Sequence, residues 1–390
     1  MNPIVIIGSG MAGYTLAREF RKLSPDTPLM IITADDAVNY AKPTLSNALV
    51  GNKHPDQIGL GDLAKMSDTL KLNILAHTTV SAIDAAAQTL TLNHADGQTV
   101  QPYNQLVLAV GASPIRLPIA GDGAADVHVV NSLADYRQFR AQLSVKADKR
   151  VLLIGAGLIG CEFANDLKAT GHDVTVVDLA PRPLGRLLPA DTASAFQTGL
   201  EAAGIRFALG TTVQSIDRVG ADYAVTLADG QTIVVDIVLS AIGLRPNLEL
   251  AQAAGLDTSR GVVVNQQLNS NLAHIYALGD CAEVNGHLLP YVMPIMQQAR
   301  ALAKTLSGDC TAVHYPAMPV AVKTPAAPLT VLPAPVDVAV TWSSETFDDG
   351  MIAKATDDAG VLRGFVLLGA TAGKQRMALT KLVPDLMPVL

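Results

Sequence analysis

The sequence predicts an α/β protein with two Rossmann-like domains and a smaller α+β domain at its C-terminal end. Three observations predict this class. A pattern of strand, glycine-rich loop, helix and second strand occurs twice, first at Gly8 and again at Gly155. A proline-rich stretch over residues 316–335 then separates a third part of the chain. The length of 390 residues is also too great for a single hydrophobic core.

The two copies of the pattern match each other element by element. In the first, residues 3–7 predict a buried strand, residues 11–22 an amphipathic helix, and residues 28–33 a second strand that ends near Asp35. In the second, a strand over residues 150–154 leads through a glycine loop into a helix, and the strand over residues 174–177 ends at Asp178. Repetition of the complete pattern is a far more specific signal than one glycine motif.

Each residue type in the pattern has a physical task in dinucleotide binding. The first glycine permits a tight turn, the second lets the backbone approach a pyrophosphate, and the third lets helix and strand pack closely. The helix N-terminus offers free N–H groups to the phosphates, and the acid after the second strand accepts hydrogen bonds from ribose hydroxyls. The pattern therefore predicts these cofactor-binding residues: Gly8, Ser9, Gly10, Ala12, Gly13 and Asp35 in the first copy, and Gly155, Gly157, Leu158, Ile159, Gly160 and Asp178 in the second.

With these motifs the chain resembles the two-dinucleotide-binding flavoprotein reductases of the glutathione-reductase superfamily. Residues 106–112, 240–247 and 275–280 resemble three further motifs of that superfamily. The resemblance implies FAD at the first glycine loop and NAD(P)H at the second. It also implies a discontinuous FAD domain (1–110 and 241–312), an inserted NAD domain (111–240) and a C-terminal domain (313–390). Further cofactor-binding residues follow from the resemblance: Lys42, Pro43, Ala109, Gly111, Arg116, Glu162, Gly243, Gly279, Asp280, Val292 and Lys323.

Three segments narrow the resemblance to reductases of rubredoxin, a small acidic iron protein. These are residues 40–46, 160–166 and 319–325. The narrower resemblance implies electron transfer to rubredoxin, a link to alkane degradation, and catalytic roles for Lys42, Glu162 and Lys323. Related ferredoxin reductases carry a lysine at the position of Asn47, where it pairs with the glutamate of the nucleotide helix. Either Lys42 or Lys323 is therefore expected beside Glu162.

The nicotinamide and the reaction class depend on single residues. A carboxylate at Asp178 favours a free 2′-hydroxyl over a 2′-phosphate, so we expect NADH as the donor. The three cysteines are Cys161, Cys281 and Cys310, and residues 40–50 contain no cysteine. Because no redox dithiol is encoded there, electrons are expected to leave from the flavin edge. Alternatives are a reductase of ferredoxin or of a nitric-oxide-reductase-associated carrier, an NADH oxidase or peroxidase, and a non-catalytic flavoprotein that docks in an NADH-dependent way.

Composition excludes several other classes of protein. Hydrophobic residues make up 49% and charged residues 16%, and a net charge of -7 argues against nucleic-acid binding. Neither a membrane span, a signal peptide nor a metal-ligand cluster is predicted, so we expect a cytoplasmic monomer or homodimer. In the third part of the chain, residues 336–342 and 364–369 predict strands, and residues 51–78 predict a polar insertion in the first domain.

Overall fold

A computed structural model of the protein describes residues 1–145 and 148–389. The last residue of the predicted C-terminal domain, 390, lies outside the described part. We call residues 1–110 and 241–312 the first domain, 111–240 the second domain and 313 onward the C-terminal domain. These bounds remain a proposal, which the grouping of strands into sheets supports.

The first domain is built on a five-stranded parallel sheet. The apolar runs of the sequence form its two central strands, which are buried along their whole length, as expected for a parallel sheet with both faces covered. Across the sheet, the strands are Ile275–Ala277, Gln105–Leu108, Ile4–Ile7, Leu29–Ile32 and Asn73–Leu75. The strand from residue 275 onward joins a sheet otherwise made of the first 110 residues. The discontinuous first domain therefore has one continuous sheet.

Smaller elements cover this sheet. The helices of the first domain are Met11–Leu23, Pro55–Ile58, Leu63–Leu70, Glu249–Ala253 and Val292–Leu306, with single 3₁₀ turns at Lys42–Asn47 and Gly279–Cys281. Its remaining strands form three small sheets. Asn39–Tyr40 pairs antiparallel with Gly59–Gly61, and Thr79–Asp84, Thr89–His94 and Gly97–Pro102 form an antiparallel meander. In the third sheet, Val262–Val264 runs parallel to Ala282–Val284, which pairs antiparallel with His287–Leu288. The insertion predicted over residues 51–78 extends too far, because Asn73–Leu75 is an edge strand of the main sheet. The part before it contains two short helices and the strand Gly59–Gly61.

The second domain repeats the design with four parallel strands. In spatial order they are Arg206–Leu209, Asp173–Asp178, Arg150–Ile154 and Ile237–Ser240. The domain also contains the helices Leu133–Leu143, Leu158–Ala169 and Ala190–Ala202, a 3₁₀ turn at Ala124–Asp126, and the antiparallel strands Val213–Val219, Asp222–Leu227 and Thr232–Val235. The chain enters and leaves this domain along one antiparallel pair, Ala112–Pro114 with Leu244–Pro246. This pair is the expected geometry for a domain inserted into another.

The C-terminal domain is a five-stranded antiparallel sheet with two short helices. In spatial order the strands are Val320–Val322, Leu329–Leu332, Leu362–Leu368, Gly350–Thr356 and Thr341–Phe347, and the helices are Ala370–Gly373 and Arg376–Thr380. The mixed α/β architecture agrees with the predicted fold class. The strand predicted over residues 364–369 is confirmed as Leu362–Leu368.

The strand predicted over residues 336–342 is wrong for most of its length. Residues 336–340 form a loop, and the strand begins only at Thr341. Val336 is fully exposed and no residue from 336 to 340 is buried, so the alternation of valines does not mark a side that faces the core. Pro333 and Pro335 precede the run, and proline cannot donate to a sheet ladder. The proline-rich stretch contains one edge strand, as expected, but Leu329–Leu332 lies inside the sheet.

One hydrophobic core joins parts of all three domains. It contains Leu45 of the first domain, Phe163 of the second, and Val322 and Val366 of the C-terminal domain, all buried. The core therefore fixes the helix Leu158–Ala169 against both the segment near residue 45 and the C-terminal sheet. In the described part of the chain, no helix combines the length and apolar character of a membrane span.

Candidate functional site

The first glycine loop is shaped by backbone contacts that leave no room for side chains. Gly8 has a φ of +115°, and a Cβ built there would lie 2.3 Å from the Ala109 carbonyl oxygen. A Cβ at Gly13 would lie 2.0 Å from the carbonyl oxygen of Gly8. Gly10 differs, because a Cβ there would have no atom within 4 Å. The loop is therefore tight at its first and third glycines and open at the second.

The second glycine loop has the same geometry. Gly155 has a φ of +110°, and its Cβ would meet the Ala241 carbonyl oxygen at 2.6 Å. The Cβ of a residue at position 160 would lie 1.9 Å from the Gly155 carbonyl oxygen, whereas Gly157 has open space around it. Both loops thus keep a free volume at the N-terminus of a helix, where a pyrophosphate can reach backbone N–H groups. This observation fits a dinucleotide at each loop.

The acid after each second strand is tied back to its own glycine loop. Asp35 accepts hydrogen bonds on one oxygen from the hydroxyls of Ser9 and Thr33, each at 2.7 Å, and from the Ala37 N–H at 3.0 Å. Asp178 accepts from the Ala156 N–H at 2.6 Å on one oxygen and from the Ala180 N–H at 2.7 Å on the other. Each carboxylate therefore lies beside the residue that follows the first glycine.

Two half-buried charged residues, Lys42 and Asp280, lie near each other where the resemblance expects the flavin. Lys42 begins the 3₁₀ turn Lys42–Asn47, and Asp280 lies in the turn Gly279–Cys281. Burial lowers the pKa of the Lys42 ammonium, and the nearby charges of Asp280 and Asp135 oppose this shift. Burial raises the pKa of the Asp280 carboxyl, and Lys42 opposes that shift. Lys42 thus lies within electrostatic range of Asp280.

Lys323 is the cation that pairs with Glu162. Its Nζ lies 2.5 Å from a Glu162 carboxylate oxygen, and its backbone N–H donates to the other oxygen at 3.0 Å. The hydroxyl of Ser46 also donates to Glu162, at 2.6 Å. Glu162 is buried on the helix Leu158–Ala169, while Lys323 is about one third exposed. Three domains therefore meet at one carboxylate, and the alternative left open by Asn47 is resolved in favour of Lys323.

The remaining candidate residues differ in exposure and in how close they lie to the two glycine loops. Gly111 and Gly243 have positive φ angles on either side of the domain crossing, and Val292 begins the helix Val292–Leu306. Ile159 and Val292 are each 40% exposed and can contact a ligand. Arg116 is exposed in the loop after the crossing strand, and its role stays a prediction. Ala109 lies against Gly8, and Ala12 lies against Gly279. Pro43 is in the 3₁₀ turn Lys42–Asn47 and Leu158 begins the second loop's helix, so their roles stay predictions.

The three cysteines are separate free thiols. Cys161 and Cys281 are buried, and Cys310 is exposed. Burial raises the pKa of Cys281 to about 11 and that of Cys161 further still. Such thiols remain protonated and are poor nucleophiles at neutral pH. Within residues 1–145 and 148–389, no cysteine pair lies poised to act as a redox dithiol.

Sequence reasoning missed several polar residues at the junction of the domains. Asp166 and Asn165 are buried one turn beyond Glu162, and both accept hydrogen bonds from other domains. In the first domain, Gln298 is buried and accepts the Gly279 N–H at 2.6 Å. The helical spacing of Asn165 and Asp166 could have indicated a polar face on the nucleotide-binding helix. Their partners could not be predicted, because they lie more than a hundred residues away in the sequence.

Comparisons with known proteins agree with this geometry. Residues 2–304 match the family described as pyridine nucleotide-disulphide oxidoreductase, and residues 312–383 match the rubredoxin binding C-terminal domain. The rubredoxin-NAD(+) reductase of Acinetobacter baylyi is 70% identical over 390 residues, which cover 100% of this chain and 99% of that protein. The enzyme of the same name from Alcanivorax borkumensis is 43% identical, with 100% of both chains covered. These matches extend over all three domains.

Solved structures give the same result. A ferredoxin reductase from Rhodopseudomonas palustris superposes with a TM-score of 0.86 at 29% identity, covering 98% of this chain and 96% of that chain. The putidaredoxin reductase in a covalent complex with putidaredoxin also gives a TM-score of 0.86, at 25% identity, with 98% and 94% covered. The fold, both glycine loops and the C-terminal domain thus lead to one conclusion. The chain belongs to the pyridine nucleotide-disulphide oxidoreductase family, in the group that contains the rubredoxin-NAD(+) reductases.

Proposed function

We propose that this protein is an oxidoreductase that takes electrons from NADH and passes them through FAD to a rubredoxin. The observation that carries the proposal is the bond between Lys323 and Glu162. Lys323 belongs to the region that matches the rubredoxin binding domain, and Glu162 lies on the helix of the second dinucleotide loop. The ion pair therefore joins the part of the chain that meets the acceptor to the part that meets the donor.

The first loop and the Asp280 turn are proposed to hold FAD. Open space beside Gly10 accommodates the pyrophosphate, and one oxygen of Asp35 remains for a ribose hydroxyl. Asp280 lies near Lys42 in a buried setting, where a charged group forms strong hydrogen bonds to a polyol. Val292 begins a helix whose N-terminal N–H groups favour negative charge. These residues bind and orient the cofactor.

The second loop is proposed to hold NADH. Asp178 lies beside Ala156, the residue that follows Gly155, so its carboxylate would accept hydrogen bonds from the adenosine ribose of a bound dinucleotide. A 2′-phosphate there would be repelled. Arg182, which could have attracted a phosphate, donates instead to the Ser194 hydroxyl at 3.1 Å. Preference for NADH over NADPH follows.

Bound FAD supplies the redox chemistry, since a flavin accepts a hydride and can release electrons one at a time. The chain supplies charge and position. Lys323 and Glu162 hold a neutral ion pair at the domain junction, and Ser46 connects that pair to the 3₁₀ turn that begins with Lys42. Because the protein's thiols are separate, the acceptor must approach the flavin edge itself.

Docking of an acidic partner must depend on local charge, because the whole chain carries a net charge of -7. Lys374 and Arg376 are exposed on the C-terminal domain, and they are the residues we propose for this role. Lys42 is half-buried near Asp280, and Lys323 is bound to Glu162, so both serve the interior of the site better than its surface. We further propose that the rubredoxin supplies electrons to an alkane hydroxylase. We also propose a cytoplasmic location, where NADH is available.

A second candidate acceptor is supported by another relative. The nitric oxide reductase FlRd-NAD(+) reductase of Aeromonas hydrophila is 38% identical, with 94% of this chain and 92% of that protein covered. A rubredoxin-like carrier of a nitric oxide reductase would make the same chemical demands on the flavin edge. The rubredoxin of an alkane-oxidising system remains the first candidate because the identity with rubredoxin-NAD(+) reductase is much higher.

Double-mixing stopped-flow tests the proposal. The protein is reduced anaerobically with NADH and then mixed with rubredoxin or, in a parallel arm, with a plant-type ferredoxin. We expect loss of the oxidised-flavin absorbance in the first step and fast rubredoxin reduction in the second, with ferredoxin reduced at least about tenfold more slowly. Equal rates for both carriers would overturn the choice of rubredoxin. Failure of NADH to reduce the flavin would overturn the proposed function itself.

A further inference from the structure

The helix of the second glycine loop carries three buried polar residues on one face, which we call the polar stripe: Glu162, Asn165 and Asp166. Spacings of three and four residues place them side by side on the helix surface. Burial of polar groups is costly unless they are hydrogen-bonded. Each member of the stripe does have partners, and those partners belong to other domains.

Asp166 binds the first domain through its backbone. One carboxylate oxygen accepts the Leu49 N–H at 2.8 Å, and the other accepts the Val50 N–H at 3.0 Å. Asp166 is only 1% exposed, so these two bonds are shielded from water. They lie directly after the 3₁₀ turn Lys42–Asn47, which contains Lys42 and Ser46. Asp166 therefore determines where the end of that turn lies relative to the nucleotide helix.

Asn165 performs the equivalent task for the C-terminal domain. Its side-chain oxygen accepts the Ala326 N–H at 3.1 Å. Ala326 is in the loop that follows Lys323, so this bond and the Glu162 bonds hold the same loop at two points. The polar stripe thus connects the nucleotide helix to the first domain on one side and to the C-terminal domain on the other.

Packing and hydrogen bonds both hold this junction. The shared hydrophobic core fixes the helix against the segment near residue 45. A half-open pocket of about 270 Å³ lies beside the stripe, and its lining includes Asn47, Val50, Asp166, Lys323 and Ala326. Segments that border a pocket have fewer packing contacts, so we expect the hydrogen bonds of the stripe to set their register.

We infer that Asp166 is a positioning residue for the reaction, which fixes the turn Lys42–Asn47 against the nucleotide helix through the amides of Leu49 and Val50. The inference rests on the proposed function, because it concerns the alignment of NADH with FAD. A backbone shift of about 1 Å can slow an aligned reaction about a hundredfold. Asp166 touches no reacting atom and acts only through the segment that it holds.

The substitution Asp166→Asn tests this role, since an amide can accept only one of the two backbone N–H groups without presenting its own NH₂ to the other. We expect the variant to bind FAD and to keep its NADH dissociation constant within about threefold, while flavin reduction slows at least about tenfold. Amide hydrogen exchange at positions 49 and 50 should accelerate at least about tenfold. The matched control is Asp173→Asn, which weakens an exposed two-oxygen interaction with Arg206 in the same domain. It should change neither the rate of flavin reduction nor the amide exchange at positions 49 and 50.

Outcomes separate the inference from the proposed function. The reduction of the wild-type flavin by NADH tests the proposed function. The ratio of the Asp166→Asn rate of flavin reduction to the wild-type rate tests the positioning role of Asp166. A folded Asp166→Asn protein with unchanged reduction rate and unchanged exchange at positions 49 and 50 would overturn the inference. If the variant does not fold, amide hydrogen exchange at positions 49 and 50 of the wild-type protein tests the inference instead. Leu49 and Val50 amides that exchange as fast as the amide of exposed Gly51 would also overturn it.

Discussion

The two glycine-loop helices begin alike and end in different environments. In both, the first glycine donates its N–H at 2.8 Å to the carbonyl at the end of the second strand, Ile32 in one case and Val177 in the other. The buried face of Met11–Leu23 is mainly apolar and stays within the first domain. The buried face of Leu158–Ala169 includes the polar stripe, which binds the two other domains.

This difference shows how one nucleotide-binding unit can serve two purposes. The first copy needs only to hold its cofactor, so a hydrophobic face that packs on its own sheet is sufficient. The second copy must also align its nucleotide with a cofactor held elsewhere. Polar contacts add to that alignment, because hydrogen bonds are directional and supplement the shared hydrophobic core.

Substitution of the third glycine should damage the fold, and substitution of the second should damage only binding. In Gly160→Ala the new methyl group would overlap the Gly155 carbonyl oxygen, at a cost of about 1–3 kcal/mol or more in unfolding free energy. Gly157→Ala has open space, so its thermal stability should match wild type while NADH affinity falls. Thermal unfolding and NADH titration measure these effects. Equal thermal stability of the two variants would contradict the close contact between position 160 and the Gly155 carbonyl oxygen.

Loss of the Asp280 carboxylate should weaken FAD retention. A buried hydrogen bond to a charged group contributes about 1.5–3 kcal/mol, which corresponds to roughly a tenfold to hundredfold weaker complex for Asp280→Ala. Dilution followed by flavin fluorescence measures the released cofactor. The Asp178→Ala variant serves as the control, because its carboxylate belongs to the other loop. Full FAD occupancy in Asp280→Ala on dilution would remove Asp280 from the site.

The Asp178→Ala substitution should change the choice of nicotinamide without affecting FAD. Wild type should prefer NADH in kcat/KM, and the variant should narrow the ratio of NADH to NADPH at least about tenfold, because repulsion of the 2′-phosphate and a bond to the 2′-hydroxyl are both lost. Asp35→Ala offers a matched control in the first loop and should leave the ratio unchanged. An unaltered ratio in Asp178→Ala would show that this carboxylate does not contact the ribose.

Neutral substitutions at Lys374 and Arg376 should have the smallest effect. Screening acts over about 8–10 Å near physiological ionic strength, so rubredoxin reduction by the reduced protein should slow as salt rises. Lys374→Met with Arg376→Met should flatten that dependence and leave flavin reduction by NADH unchanged. Rates that do not depend on salt, with variants that match wild type, would argue against a local basic docking patch.

Much of the molecule could be predicted from local sequence, since strand–glycine–helix units depend on contacts between nearby residues. Gly13 meets Gly8, and Gly160 meets Gly155, within single loops. The partner of Glu162 could not be predicted in this way, because Lys323 comes from another domain and two lysines were available. Asp166 was missed for the same reason, since its partners are backbone amides that any sequence provides.

The C-terminal domain shows the limit of periodicity. An alternation of valines over residues 336–340 predicted a strand, yet alternation reports only which residues share a face and not whether a core exists for that face. Val336 is fully exposed, and no residue from 336 to 340 is buried. The strand Leu362–Leu368 was predicted correctly, because an uninterrupted apolar run requires burial on both faces.

If the flavin is the sole redox group between NADH and the acceptor, the protein can store only two electrons per FAD. An anaerobic reductive titration measures the electrons taken up per FAD. Cys161, Cys281 and Cys310 are separate thiols, so we expect one equivalent of NADH to reduce each FAD completely and no further electrons to be stored. Uptake of a second pair of electrons per FAD would reveal an additional redox centre and would contradict direct transfer from the flavin.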